Sequence, residues 1–558
     1  MKLTGGQIVC ESLLREGVEI VFGIPGGAIL PLYQTLPEYP QLRHVLMRHE
    51  QGAAHAADGY ARATGKVGVA FGTSGPGATN LVTGIATAQM DSVPTVFVTG
   101  QVGRDAIGKD AFQEMDITGV TLPITKQNYL VWHASEIAGV IKEAFYLANT
   151  GRPGPVLVDI PKDVFVEETE FDYPETIDLP SYVPAQAADA LDVKEAARLI
   201  DEAKRPLILA GHGNVISRSY EELRELAEKS QIPVITTLLG ISSFPDTHPL
   251  CIGMPGMHGM AYANIAIDEA DLLIALGMRF DDRITGKLSR FAPNAKIIHV
   301  DIDPSEIHKN VRATVPLVGD LKTVLEQLIP EVKPSSHDLW IQKIAELKEA
   351  HPPMRAKKTG GLRPQYILRT LSEATEGQAV IVTGVGQHQM WAAQHCTFTK
   401  PNSLITSGGL GTMGFEVPAA LGAQIGRPDS PVWSVAGDGG FQMTMSELAT
   451  LVENKIPVKF ALLNNNCLGM VSQWQDLFYD KSYVQTGYTR NPDFVKLAEA
   501  FGMFGTRVTQ ENEVLPAIKA AINEPGPALI DFVIPKEENV YPMIPAGGSV
   551  EEQMEEPE

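Results

Sequence analysis

Asn464-Asn465 stands 24 residues after Gly437-Asp-Gly439. Gly437-Asp438 follows the apolar run Val432-Trp-Ser-Val-Ala436, and the asparagines follow Val458-Lys-Phe-Ala-Leu-Leu463. Both sites therefore fall where parallel strands end, the edge at which open α/β sheets bind ligands. One carboxylate and one amide oxygen suit a hard divalent cation such as magnesium, which keeps its other positions for water and phosphate. Bare glycines let backbone N–H groups approach a diphosphate. Asp-Gly and Asn-Asn are also common turn pairs; the spacing and the flanking strands lift this pair above two unrelated turns.

Other segments carry weaker signals. Glu50 opens an Ala-rich helical stretch and, by itself, reads as a partner of the helix dipole. His49 beside it reads as a packing residue. Thr73-Ser-Gly-Pro-Gly-Ala-Thr-Asn80 is a glycine loop between an apolar run and a helical one. Gly409-Leu-Gly-Thr-Met-Gly414 is a literal G-x-G-x-x-G, but the Pro418-Ala-Ala segment after it offers no acidic ribose partner. Gly211-His-Gly213, Gly277-Met-Arg-Phe-Asp-Asp-Arg283 and His299-Val-Asp-Ile-Asp-Pro304 place glycines and acids at strand ends. That pattern fits a nucleotide site or a Rossmann-like domain without one. Trp474 alone reads as a core residue.

The elements that must position these groups are apolar β-rich runs alternating with amphipathic helices. Val67–Phe71, Thr95–Thr99, Val156–Ile160, Pro206–Ala210 and Val458–Leu463 are examples. This predicts an α/β chain of three doubly wound parallel-sheet domains. Pro-containing linkers at Val166–Asp192 and Pro330–Pro364 cut it into residues 1–165, 190–345 and 364–558. Gly154-Pro-Val-Leu-Val-Asp159 is echoed by Gly526-Pro-Ala-Leu-Ile-Asp531, which suggests that the outer domains share a fold. A net charge of −22 excludes a general nucleic-acid binder, because phosphate contacts need clustered Lys and Arg. Four scattered cysteines read as free thiols in a reducing, cytoplasmic compartment. Uncharged Val67–Met90 is long enough for a membrane helix, but its Gly-Pro-Gly loop would leave backbone groups unsatisfied in lipid. It is expected to be a strand, a loop and a helix, with no membrane partner. The acidic tail Val550–Glu558 is expected to be frayed and solvated.

The Gly437-Asp-Gly439…Asn464-Asn465 pattern resembles the signature of the thiamine-diphosphate enzymes, a family that includes acetohydroxyacid synthase, pyruvate oxidase and pyruvate decarboxylase. The resemblance implies Asp438, Asn465 and the backbone carbonyl of Cys467 as magnesium ligands. It implies cofactor contacts at Gly437, Gly439, Gly440, Gly469 and Met470, and a second loop at Val385, Gly386, Gln387 and His388. Gly411 and Met413 follow, with Met413 wedged beneath the cofactor. The Glu matching Glu50 hydrogen-bonds the cofactor's aminopyrimidine ring, whose nitrogen then takes the proton from thiazolium C2. Gly27, Gln113 and Lys162 share the catalytic assignment, and Pro25, Thr73, Pro76 and Asn80 the cofactor side.

The middle segment Arg279-Phe-Asp-Asp-Arg283 resembles the FAD segment of biosynthetic acetohydroxyacid synthases. That resemblance implies FAD contacts at Arg152, Gly211, Gly213, Thr237 and Leu238. Further contacts follow at Met257, His258, Gly277, Arg279 and Asp281, and at Asp301 and Asp320. Phe112, Arg283 and Trp474 match substrate-facing residues, and a guanidinium suits bidentate pairing with a carboxylate. The implied reaction decarboxylates pyruvate and condenses the product with pyruvate or 2-ketobutyrate, giving 2-acetolactate or 2-aceto-2-hydroxybutyrate for branched-chain amino acids. In the family each cofactor lies between the first domain of one subunit and the third of another, so a homodimer or homotetramer is expected, with a small regulatory subunit. A pyruvate oxidase that passes electrons to FAD is the alternative. A non-catalytic flavin-binding protein is a third reading, disfavoured by intact Glu50, Asp438 and Asn465. Departures from the family pattern are Glu416, Gly103, Pro255 and Ile24, and they bear on affinity and preference.

Overall fold

The computed structural model describes residues 1–353 and 361–557. The Lys357-Lys-Thr-Gly360 part of the second linker and Glu558 lie outside the described residues. Three parallel sheets form, their inner strands apolar and buried on both faces, as the near-continuous Val, Ile and Leu runs require, while edge strands such as Arg43–Leu46, Gln127–Leu130 and Phe504–Val508 are only partly buried.

The first sheet contains β1 (Ile20–Gly23), β2 (Arg43–Leu46), β3 (Gly68–Gly72), β4 (Thr95–Gln101), β5 (Gln127–Leu130) and β6 (Pro155–Pro161). Its order is β2-β1-β3-β4-β6-β5. The middle sheet contains β7 (Pro206–Ala210), β8 (Val234–Thr236), β9 (Leu272–Leu276), β10 (Lys296–Asp301) and β11 (Val315–Val318), in the order β8-β7-β9-β10-β11. The third contains β12 (Val380–Thr383), β13 (Leu404–Thr406), β14 (Val432–Gly437), β15 (Lys459–Asn464), β16 (Phe504–Val508) and β17 (Ala528–Val533). Its order, β13-β12-β14-β15-β17-β16, repeats that of the first sheet. The echoed Asp159 and Asp531 sit at matching places on β6 and β17, both fully buried. The doubly wound three-domain reading holds.

Six helices matter to the site. They are α1 (Glu50–Thr64), α2 (Pro76–Asp91), α3 (Gln387–His395), α4 (Glu416–Gly426), α5 (Asp438–Thr444) and α6 (Gly469–Phe478). Helix α1 ends at Gly65, whose φ of 70° is the left-handed conformation glycine tolerates. The first and third domains are joined by the packing of α1 on α4. A Cβ on Gly59 would lie 2.1 Å from the Ala419 carbonyl oxygen, and one on Gly422 only 1.9 Å from that of Ala56. Alanine and glycine at these positions are what let the two backbones touch. Beside this contact, Arg62 pairs with Asp58 at 2.6 Å and Asp91 at 2.8 Å, and donates to the Thr406 carbonyl of β13 at 2.9 Å. All three side chains are buried.

Three expectations need correction. The acidic tail, residues 550–557, is not frayed. Met543 and Met554 form an antiparallel bridge, Glu551 pairs with Arg290, and Glu555 meets His351 at 2.6 Å. Contacts with Arg290 of the middle domain, His351 of the linker and Arg363 outweigh the solvation that the acidic composition suggested. The first linker is partly a strand, because Glu168–Glu170 pairs with Lys2–Thr4. His49 is not a packing residue: it is exposed, and its Nδ1 accepts the Gln51 N–H as the cap of α1. Val67–Met90 divides into β3, a glycine loop and α2, and among the described residues no helix is long and apolar enough to cross a membrane.

Gly422→Ala would force the α1–α4 backbones apart. We expect a loss of about 1–3 kcal/mol, read as a lower thermal unfolding midpoint, whereas an alanine at Gly139, whose Cβ would meet nothing within 4 Å, would leave the α1–α4 contact intact.

Candidate active site

At the C-terminal edge of the third sheet, β14 delivers Asp438 and β15 delivers Asn465 into one small pocket. Cys467, Gly469, Met470, Met413 and the Val385–His388 loop complete its walls. Cβ atoms would fill this cradle: one on Gly437 would meet the His388 ring at 2.8 Å, and one on Gly469 the Gln387 Oε1 at 2.1 Å. Gln387 also accepts from Asn465 Nδ2 at 3.1 Å, leaving the Asn465 side-chain oxygen to accept from Cys467 N–H at 3.2 Å. Burial pushes the Asp438 carboxyl up to about 6, opposed by the Asn491 amide donating to Oδ2 at 2.6 Å. Burial drives His388 down to about 3, so its imidazole is neutral, and its Nε2 is buried without a partner. Among the described residues no cluster of three or more His, Cys, Asp or Glu is built to hold a metal. A set made of one carboxylate, one amide and one carbonyl is of a different kind, and its oxygens fit magnesium.

A second, larger cavity of about 770 Å³ lies at the strand ends of the middle sheet. Gly213, Thr237, Leu238, Gly277, Asp301 and Asp320 line it. Arg152, Met257, His258, Arg279, Asp281 and Arg283 line it as well. Gly211 lies off the lining and packs on the Gly277 backbone, where a Cβ would sit 2.2 Å from the carbonyl oxygen. Arg152 pairs with Glu306 at 2.7 Å and Asp303 at 3.2 Å. Burial pushes Asp301 up to about 6. Asp281 and Asp320 cap short helices with their carboxylates. Arg283 Nη1 approaches Met257 Sδ at 3.5 Å. Trp474, from α6, reaches this cavity together with Gly411. Val385, Gly386 and Met470 line both cavities, which are therefore contiguous.

The first-domain residues behave differently. Glu50 stands at the first position of α1, where Asn80 Nδ2 donates to its Oε2 at 2.9 Å. Thr73 is buried and its hydroxyl accepts the Ala28 N–H, while Pro76 opens α2. Pro25, Gly27 and Lys162 are exposed, and Gln113 takes a left-handed φ of 60°. Phe112 is 89% exposed. None of these residues lines either cavity of its own chain.

Asn491 escaped sequence reading because Arg490-Asn-Pro looks like an ordinary turn; only its contact with Asp438 marks it. Asp91 escaped as well. It lines the large cavity and accepts the N–H groups of Gly408 and Gly409, tying the first domain to the loop that carries Met413.

Comparison with known families agrees with this geometry. Residues 3–120, 193–328 and 384–532 match, in turn, the N-terminal TPP binding domain, the central domain and the C-terminal TPP binding domain of thiamine pyrophosphate enzymes. The chain belongs to that family and has the architecture of an enzyme built around thiamine diphosphate. Within it, the chain belongs with the acetolactate synthases. It is 52% identical to acetolactate synthase of Mycobacterium bovis, over 99% of this chain and 91% of the relative. It is 50% identical to the acetolactate synthase large subunit of Corynebacterium glutamicum, over 98% and 89%. A probable acetolactate synthase large subunit of Methanocaldococcus jannaschii is 48% identical, over 98% and 94%.

Asn491→Leu removes the donor that orients Asp438. Loss of a partner of this kind lowers metal affinity by about 10- to 100-fold, and calorimetric titration of the apoprotein with magnesium and thiamine diphosphate should register it.

Proposed function

We propose that the chain is the catalytic subunit of a magnesium- and FAD-containing acetolactate synthase that joins two 2-ketoacids on thiamine diphosphate. The observation that carries this reading is the contiguity of the two cavities: Arg283, Met257 and Trp474 face the large one, and Met470 and Gly386 close the small one. A carboxylate-binding guanidinium and an indole thus stand next to the thiamine pocket, where an acceptor ketoacid needs them. Asp438, Asn465 and the Cys467 carbonyl are the proposed magnesium ligands, and the bare glycines 437, 439 and 469 admit the diphosphate. The middle-sheet cavity has room for FAD, with Gly213 and Gly277 on the backbone side and Asp301 and Arg152 as polar contacts.

Bound thiamine diphosphate supplies the carbon nucleophile and the electron sink for decarboxylation. The protein's own part is position and proton transfer. Asn80 fixes the Glu50 carboxylate through Oε2 and leaves Oε1 to exchange a proton with the aminopyrimidine ring. The Gly437–Gly440 and Val385–His388 loops hold the far end of the cofactor, and Trp474 shapes the acceptor side. Because Glu50, Asn80 and Phe112 line neither cavity of their own chain, a second copy is proposed to bring its Glu50 to this chain's Asp438, which makes the working unit at least a homodimer. A small regulatory subunit is the natural partner of a chain whose relatives are named large subunits.

The decisive test is product analysis with pyruvate plus 2-ketobutyrate, with and without each cofactor. Acetolactate and acetohydroxybutyrate without oxygen uptake are expected; flavin bleaching by pyruvate at turnover rate would favour an oxidase instead. Glu50→Gln should lower kcat by about 10²- to 10⁴-fold while the protein still binds the cofactor. Mixed dimers of Glu50→Gln and Asp438→Ala subunits should regain activity that neither parent has, because one of their two sites would be intact.

A further inference from the structure

Glu416 occupies in the third domain the place that Glu50 occupies in the first. Each opens the helix that runs from the second to the third strand, in sheets of the same strand order. The sequences correspond: Glu50-Gln-Gly-Ala-Ala54 and Glu416-Val-Pro-Ala-Ala420. The surroundings correspond too. A Cβ on Gly77, at the start of α2, would lie 3.3 Å from Glu50 Oε1; one on Gly440, at the start of α5, would lie 3.0 Å from Glu416 Oε1. Solvation is what differs. Glu50 is half-buried and held by Asn80, whereas Glu416 is 0% exposed and no side chain donates to its carboxyl oxygens, which face only the backbone N–H groups of Gly414 and Glu416 itself. Its carboxyl carbon also lies 2.5 Å from where a Gly384 Cβ would be. The side chain is therefore wedged between the two loops assigned above to the diphosphate.

The titratable groups on the elements packed around α4 do not relieve it. Asp58 and Arg62 on α1 are paired with each other, and His55 meets the Phe415 ring edge-on. Glu50 is held by Asn80, and Asp438 by Asn491. Glu447 accepts the N–H groups of Arg48 and His49. A carboxylate buried without a charged or side-chain partner is costly, and the two backbone N–H groups only partly offset this, so the neutral acid is favoured.

We propose that Glu416 is a positioning residue that links diphosphate binding to pH: protonated, it braces the two cofactor loops without charge, and ionised, it repels an anion held by those loops. Burial, with no charged neighbour to offset it, pushes its carboxyl up to about 7, which places the change near neutral pH. The inference rests on the diphosphate site proposed above.

The test uses full-length apoprotein titrated calorimetrically with thiamine diphosphate at saturating magnesium, at pH 6.5 and 8.5. Each titration is repeated in two buffers of different ionisation enthalpy. Between these pH values, wild-type affinity should fall by about sixfold more than that of Glu416→Gln, which corresponds to a one-unit pKa rise on binding from about 7. At pH 8.5 the wild type should take up about 0.2 proton per site that the variant does not. Coincident pH profiles and equal proton uptake would overturn the proposal. Should Glu416→Gln not fold, Glu416→Met serves in the same comparison, and wild-type binding without proton uptake at pH 8.5 is by itself contrary. Failure of the wild type to bind the cofactor at any pH would overturn the diphosphate-site reading as well.

Discussion

Direct backbone contact between α1 and α4 is the constraint on which the arrangement depends. Helix axes can approach this closely only where side chains vanish, and here Gly59 and Gly422 face the carbonyls of Ala419 and Ala56. Each helix also begins with a glutamate pointed at its own domain's glycine loop. Fixing one helix on the other therefore fixes the relative position of two acidic groups and two loops. Arg62 reinforces the contact, and its charge is matched by Asp58 and Asp91 in a region water does not reach. A buried cation between two carboxylates tolerates the loss of no partner, because the remaining charge would have neither solvent nor counterion.

Asp91 extends this network to catalytic geometry. The same carboxylate that pairs with Arg62 accepts two backbone N–H groups at Gly408 and Gly409, and Thr87 bonds Thr412 at 2.7 Å. The loop bearing Met413 is thus held by the end of a first-domain helix. A rigid interdomain joint and a precise cofactor loop are parts of one hydrogen-bonded network.

Much of the fold was legible because parallel sheets need continuous apolar strands, and Val432–Ala436 and Val458–Leu463 are such strands. Their polar followers Asp438 and Asn465 could be paired from sequence because both fall at strand ends. The Gly-Pro…Asp echo correctly pointed to two domains of one topology. Illegible were contacts between residues far apart in the chain. Asn491 on Asp438, Asp91 on Gly409 and Glu551 on Arg290 carry no local periodicity or composition signal. His49 was misread because a cap is defined by the direction of one ring nitrogen, not by residue type. Glu416 stood out as an unusual residue, but its lack of any side-chain partner became visible only in three dimensions.

The docked tail has a consequence for how the molecule is made. Gly548 presents its carbonyl to the Lys287 N–H beside Arg283, and Ile544 donates its N–H to Met257, so residues that follow the third domain in the sequence complete one wall of the middle domain. Domains generally fold in order of synthesis, and this wall belongs to a domain translated long before the segment that closes it. The nascent middle domain must wait, with that flank open, until residues 544–548 have left the ribosome.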